Sequence, residues 1–239
     1  MQHFLNRIRE KALDVRQPPV LIVAFGDSVT QGFAEHTLLD FEAVYHRQLQ
    51  QKLESLFPST TFSTLNAGVG GTSATEGFTR LERDVIRHQP DLVLIGFGLN
   101  DSLSGPSGLP SFEAALNNIL EQIHNQTQAD AILITPPFMA TKRTPRIHPE
   151  HEAFAGDIIR AQVEGFLDQY AQVIRNVAQQ NNTPLADVHR EWQHLREIGV
   201  DTDLWLANGL NHPNKAGHTL AAELIHAEIL RHYLQNRDA

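Results

Sequence analysis

The sequence predicts an α/β domain in which a parallel sheet is covered by helices on both faces. Three observations predict it. Short β-rich apolar runs alternate with longer helical patterns, the βαβα order of a doubly covered sheet. The run Leu92-Val93-Leu94-Ile95 is apolar without alternation, as a strand buried on both faces requires. And 239 residues, 41% apolar and 20% charged, suit one ordinary globular domain better than a disordered chain or a coiled coil.

The elements follow in order. Met1 to Arg16 mixes Arg7, Arg9, Glu10 and Lys11 with Phe4, Leu5, Ile8, Ala12 and Leu13, the pattern of an amphipathic helix within residues 1–17. Strands are expected at Val20–Phe25, Thr61–Leu65, Leu92–Phe97, Ala131–Thr135 and Pro184–Val188. Helices are expected near Leu39–Phe57, Ala74–His88, Phe112–Gln126 and Phe154–Gln180, with a last one from about Asn214 to Leu234. No repeat, low-complexity tract or linker interrupts them, so residues 1–239 read as one domain. The long irregular stretch 136–151, rich in Pro and basic residues, reads as a lid or substrate loop. Its Phe138, Met139, Lys142, Arg143 and Arg146 are expected to border a groove or cover a site.

Composition removes several function classes. The net charge of −9 argues against non-specific binding to nucleic acid or an anionic membrane. The absence of cysteine excludes a disulfide framework, thiol catalysis and Cys-ligated zinc or iron–sulfur sites. No membrane span or signal-like apolar region is visible, so the expected location is cytoplasmic. Nothing in the pattern bears on oligomeric state.

Three expected strands run into small, polar, Gly-rich segments: Gly26-Asp27-Ser28-Val29-Thr30-Gln31-Gly32, Asn66-Ala67-Gly68-Val69-Gly70-Gly71-Thr72-Ser73, and Gly96-Phe97-Gly98-Leu99-Asn100-Asp101. Ligands of open α/β sheets bind outside the carboxyl ends of strands, so the three would share a pocket. A fourth segment, Asn211-His212-Pro213-Asn214, precedes the last helix, with Asn214 in the capping position. Each segment alone has a plain structural explanation as a turn or a helix cap. Together they hold a nucleophile candidate, an imidazole base and a set of oxyanion donors.

The order and wording of these four segments resemble the GDSL, or SGNH, hydrolase family, from Gly26 to His212. The resemblance implies a flavodoxin-like three-layer α/β/α sandwich with a five-stranded parallel sheet. It also implies Ser28 as nucleophile, Gly71 and Asn100 as oxyanion-hole residues, and His212 as base. Gly71 is preferred to Gly70 because Asn66-Ala67 opens the family's second block. The chemistry fits these residue types: a Ser hydroxyl needs an imidazole to take its proton, and developing oxyanion charge needs donors fixed in advance. Other signatures are missing. Thr30 breaks Gly-x-Ser-x-Gly, no Gly-Lys-Ser/Thr loop occurs, and the Gly-x-Gly-x-x-Gly pattern fails at the first βα junction.

The expected activity is serine-dependent hydrolysis of small carboxylic esters, of acetyl or short acyl groups, through an acyl-enzyme. The alternatives are a lysophospholipase or thioesterase of the same family, and a non-catalytic binding module of the same fold. No cofactor is expected. There are 13 His, and His148, Glu150 and His151 lie close in sequence, but no His-Glu-x-x-His pattern is present, so no metal site is expected either. One departure stands out. The family carries an Asp three residues before the His, and here that position is Gly209. The expectation is that no carboxylate, including Asp201 and Asp203, meets His212, and that Asn208 or the Asn208–Leu210 turn holds its ring.

Overall fold

Five parallel strands form one sheet in the order β2-β1-β3-β4-β5: β1 (Val20–Gly26), β2 (Phe62–Gly68), β3 (Leu92–Gly96), β4 (Asp130–Ile134) and β5 (Leu185–Ala186). The computed structural model describes residues 1–235; the last four residues of the expected 1–239 domain lie outside the described residues. The order reverses at β1 and β3, which pair in register from Ile22 with Leu92 to Gly26 with Gly96. A crevice at the carboxyl ends of these two strands is where a sheet of this order binds its ligand.

Successive side chains of the central strands point to opposite faces, and both faces are buried. Ile22, Leu92, Leu94, Ile132 and Ile134 pack with Phe4, Leu49, Leu53, Trp192 and Ile225 on one side. Val23, Phe25, Val93, Ile95 and Leu133 pack with Leu81, Leu116, Ile119, Tyr170 and Ile174 on the other. The first layer thus holds α1 (Gln2–Leu13), α3 (Tyr45–Leu56), α8 (Val188–Glu197) and α9 (Lys215–Gln235). The second holds α4 (Ala74–Asp84), α5 (Leu109–Gln126) and α7 (Phe166–Gln180). A one-turn helix, α2 (Ser28–Gln31), leaves the end of β1. The result is the three-layer α/β/α sandwich.

Differences from the sequence reading have local causes. The expected helix Phe154–Gln180 is two, α6 (Glu152–Val163) and α7, broken where Gly165 adopts φ +72°. The expected helix Leu39–Phe57 begins only at Tyr45, because residues 33–44 form a loop whose Phe33 pairs antiparallel with Leu39. Strand β5 is two residues long, and α8 follows it at once with Asp187 as N-cap. In the stretch 136–151, Phe138, Met139, Ala140 and Ile147 are buried in the core. Phe138 and Met139 therefore do not face a substrate groove; the Met139 N–H donates to Gln162 Oε1 at 2.6 Å.

Candidate active site

Strand β1 ends against its neighbours. A Cβ on Gly26 would lie 2.2 Å from Thr30 Oγ1 and 2.4 Å from the Gly96 carbonyl, so only glycine lets the chain turn there. The turn opens α2, capped by Asp27, whose Oδ1 accepts from the Val29 N–H at 2.9 Å. Ser28 is thereby the first residue of α2, with its backbone N–H at the free helix end. From below, the His46 Nε2–H donates to the Thr30 carbonyl at 3.0 Å, and Thr30 Oγ1 meets the Tyr45 hydroxyl at 3.0 Å.

The second segment is tied to α2. Gln31 Oε1 accepts from the Gly70 N–H at 2.7 Å, which commits that donor. Gly71 adopts φ +75°, and a Cβ there would meet nothing within 4 Å, so its face is open. Among the described residues, no acceptor meets the Gly71 N–H. Ser73 then starts α4 with a capping box to Glu76.

The third segment brings Asn100 beside both. Its Nδ2 donates to the Thr72 carbonyl at 3.1 Å and approaches Asp27 Oδ2 at 3.4 Å. Asp101, to which the sequence alone assigns no role, joins the two loops: Oδ1 accepts from the Ala74 N–H at 2.8 Å and Oδ2 from the Gly98 N–H at 3.0 Å. Burial, with repulsion from Asp101, pushes Asp27 up to about 7. Asp101 is raised to about 6, again chiefly by burial.

His212 arrives from the opposite side of the cleft. Its Nε2 lies 3.1 Å from Ser28 Oγ. The preceding loop is closed by a bridge between Leu206 and Pro213 and by the Ala207 N–H donating to the His212 carbonyl at 2.7 Å. Asn214 caps α9 as expected, its Oδ1 accepting from the Ala216 and Gly217 N–H groups.

What holds the imidazole differs from the expectation in its detail. No carboxylate bonds to His212 among the described residues. Asp203 accepts from the Thr141 N–H and hydroxyl, and Asp201 caps the Asp203 N–H and lies 3.6 Å from Lys142 Nζ. Asn208 does sit beside the ring, but its Oδ1 already accepts three backbone N–H groups, those of Leu210, Asn211 and His212, each at 3.0 Å. That fixes the amide orientation and turns Nδ2, a donor, toward His212 Nδ1 at 3.2 Å. The acceptor is the carbonyl of Ala34, 3.3 Å from Nδ1, on the 33–39 loop. Among the described residues no carbonyl of the Asn208–Leu210 turn bonds to Nδ1, and the Leu210 carbonyl takes the Ala140 N–H at 2.6 Å. A carbonyl only accepts, so the tautomer that satisfies this contact carries its proton on Nδ1 and turns the Nε2 lone pair toward Ser28. Burial lowers His212 to about 4, against the opposing effect of the Ala34 carbonyl, so the ring is neutral at pH 7.

Ser28, Gly71, Asn100 and His212 thus converge at the β1/β3 crevice. The sequence matches the GDSL-like lipase/acylhydrolase family over residues 24–220. The chain belongs to that family. It is accordingly an ester hydrolase of the GDSL type. An acetylxylan esterase of Geobacillus stearothermophilus is 23% identical over 194 residues, 77% of this chain and 80% of the relative. The uncharacterized lipoprotein YqeF of Bacillus subtilis (strain 168) is 24% identical over 191 residues, 76% of this chain and 75% of the relative. The crystal structure of the Geobacillus esterase superposes with a TM-score of 0.67 at 21% identity, over 87% of this chain and 93% of that one. A lipase/acylhydrolase of Enterococcus faecalis gives 0.65 at 24%, over 87% and 94%. Catalytic mutants of the Geobacillus esterase replace a serine, a histidine and an aspartate. No helix among the described residues is long and apolar enough to cross a membrane.

Proposed function

We propose that this protein hydrolyses short-chain carboxylic esters, acetyl esters foremost, through an acyl-enzyme on Ser28. The observation that carries the reading is the 3.1 Å contact between Ser28 Oγ and His212 Nε2, with the Nδ1 proton directed to the Ala34 carbonyl. In that arrangement His212 takes the Ser28 proton as Oγ attacks the ester carbonyl. The Ser28 and Gly71 N–H groups and Asn100 Nδ2 receive the oxyanion, the long Asp27 contact of Asn100 giving way to the substrate oxygen. The tetrahedral adduct collapses as His212 returns the proton to the leaving alcohol. Water then repeats the sequence on the acyl-enzyme, releasing the acid and Ser28.

The preference for short acyl groups is supported by where the apolar side chains go. Phe78 and Leu103, which flank the strand ends, are partly buried and pack against the core, and Phe138 and Met139 are buried in it. Phe33 lies against the His212 ring, 5.7 Å between centroids. The acetylxylan esterase likeness points the same way. One observation favours a longer chain: Leu38 and Phe41, on the loop that carries Ala34, are about 60% exposed. The chain-length profile on p-nitrophenyl esters decides. Acetate or butyrate should be turned over faster than decanoate; a preference for ten carbons or more would make lysophospholipase the better assignment.

A further inference from the structure

The 33–39 loop and the segment leading into α6 meet at the rim of the cleft through side chains that the reaction above does not use. His36 and His148 stack with ring centroids 3.7 Å apart and an interplanar angle of 10°. His36 Nε2 lies 3.2 Å from Glu150 Oε2. One ligand atom from each of His36, His148 and Glu150 falls within 4.8 Å of the others. We propose that these three side chains bind a divalent transition-metal ion of the zinc class, clamping the Ala34 loop to residues 148–151.

The donor set suits such an ion once one imidazole turns out of the parallel stack, because a metal binds in the plane of each ring. Two imidazole nitrogens and one carboxylate oxygen, with a position left for water, is a zinc-like environment rather than one for the hard, oxygen-seeking Mg²⁺ or Ca²⁺. An outer partner is already placed. With the ion on His36 Nε2, the proton of that ring sits on Nδ1, which lies 3.2 Å from His151 Nε2, 115 residues further along the chain. Metal-bound imidazoles characteristically donate their second N–H in this way, which fixes the ring. Among the described residues no hydrogen-bond partner meets His151 Nδ1, while its ring packs against Phe154 at 5.2 Å between centroids. Nor does core packing require the cluster: the His36 and Glu150 side chains keep 30% and 73% of their exposure. Binding would restrain His36, two residues from the carbonyl that sets the His212 tautomer, while leaving the chemistry on Ser28 without a metal.

The test uses the full chain without an affinity tag, stripped of metal by chelator and titrated with zinc chloride by calorimetry. The visible absorption of bound Co²⁺ serves as a second readout. One ion per chain is expected, with a rise in thermal midpoint. His36→Ala and His148→Ala should each weaken binding by more than the roughly 10–100-fold typical of losing an outer partner, and His151→Gln should fall within that range. His226→Ala, on α9 away from the cluster, should bind like the parent. Circular dichroism shows whether each variant is folded. Absence of saturable binding to the parent, or an unchanged affinity in folded His36→Ala/His148→Ala, would overturn the site. Neither result depends on ester hydrolysis, so the clamp and the proposed reaction fail separately.

Discussion

Replacing Asn208 by Asp changes one atom group at a decisive place. Oδ1 keeps its three backbone donors, and the atom 3.2 Å from His212 Nδ1 becomes an acceptor instead of a donor. The neighbouring Asn211, whose Oδ1 now accepts from Asn208 Nδ2 at 2.9 Å, can rotate its amide to donate. Among the described residues of the native protein, only the neutral Ala34 carbonyl accepts from the imidazolium that forms at Nδ1 when Ser28 loses its proton, and His212 is lowered to about 4. A charge-assisted hydrogen bond contributes about 1.5–3 kcal/mol, and one pKa unit corresponds to about 1.36 kcal/mol. Asn208→Asp should therefore raise His212 by roughly one to two units and kcat/KM by about 10- to 100-fold where proton transfer limits the rate. The sign is fixed: the base must be neutral, so raising its pKa moves the acid limb of kcat/KM upward from near 4. Initial rates on p-nitrophenyl acetate, measured from acid to mildly alkaline pH in buffers of constant ionic strength, report both effects. An unmoved acid limb in a folded variant, or a loss of kcat/KM, would refute the account of how His212 is held.

Asn100→Ala should lower kcat by about 10²–10³-fold with little change in KM, because the amide acts on charge that develops after binding; steady-state kinetics check the split, and an unchanged kcat would remove Asn100 from the oxyanion hole. Asp201→Asn and Asp203→Asn should keep most activity. Asp203 bonds the Thr141 N–H and hydroxyl, not His212, so its replacement should appear as about 1–3 kcal/mol of lost stability in urea denaturation. A loss of about 10³-fold in either Asp variant, with the fold intact, would show a carboxylate-assisted base.

The parts of the fold legible in the sequence are those whose cause is local. β3 reads as a strand buried on both faces because every residue of Leu92–Ile95 is apolar, and Ser28 reads as helix-entry because Gly26 and Asp27 dictate a tight, capped turn. The helix α8 escapes the sequence reading, although Asp187 as cap and the apolar Val188 and Trp192 at i and i+4 carry its signal. The acceptor for His212 is not legible: a backbone carbonyl leaves no trace in side-chain identity, and Ala34 lies 178 residues away. A comparable separation in sequence hides His36 from His148 and Glu150. Asp101 is visible only as a turn residue, since its two backbone donors come from different loops.

The central claim is that Ser28 is a nucleophile activated by a carbonyl-oriented His212. Treating the native chain with a fluorophosphonate and mapping the adduct by peptide mass spectrometry tests it most directly. One adduct per chain on Ser28 is predicted, absent from the denatured protein and from Ser28→Ala, and strongly slowed in His212→Ala. A native chain that takes no adduct, or takes it on another residue, would contradict the account.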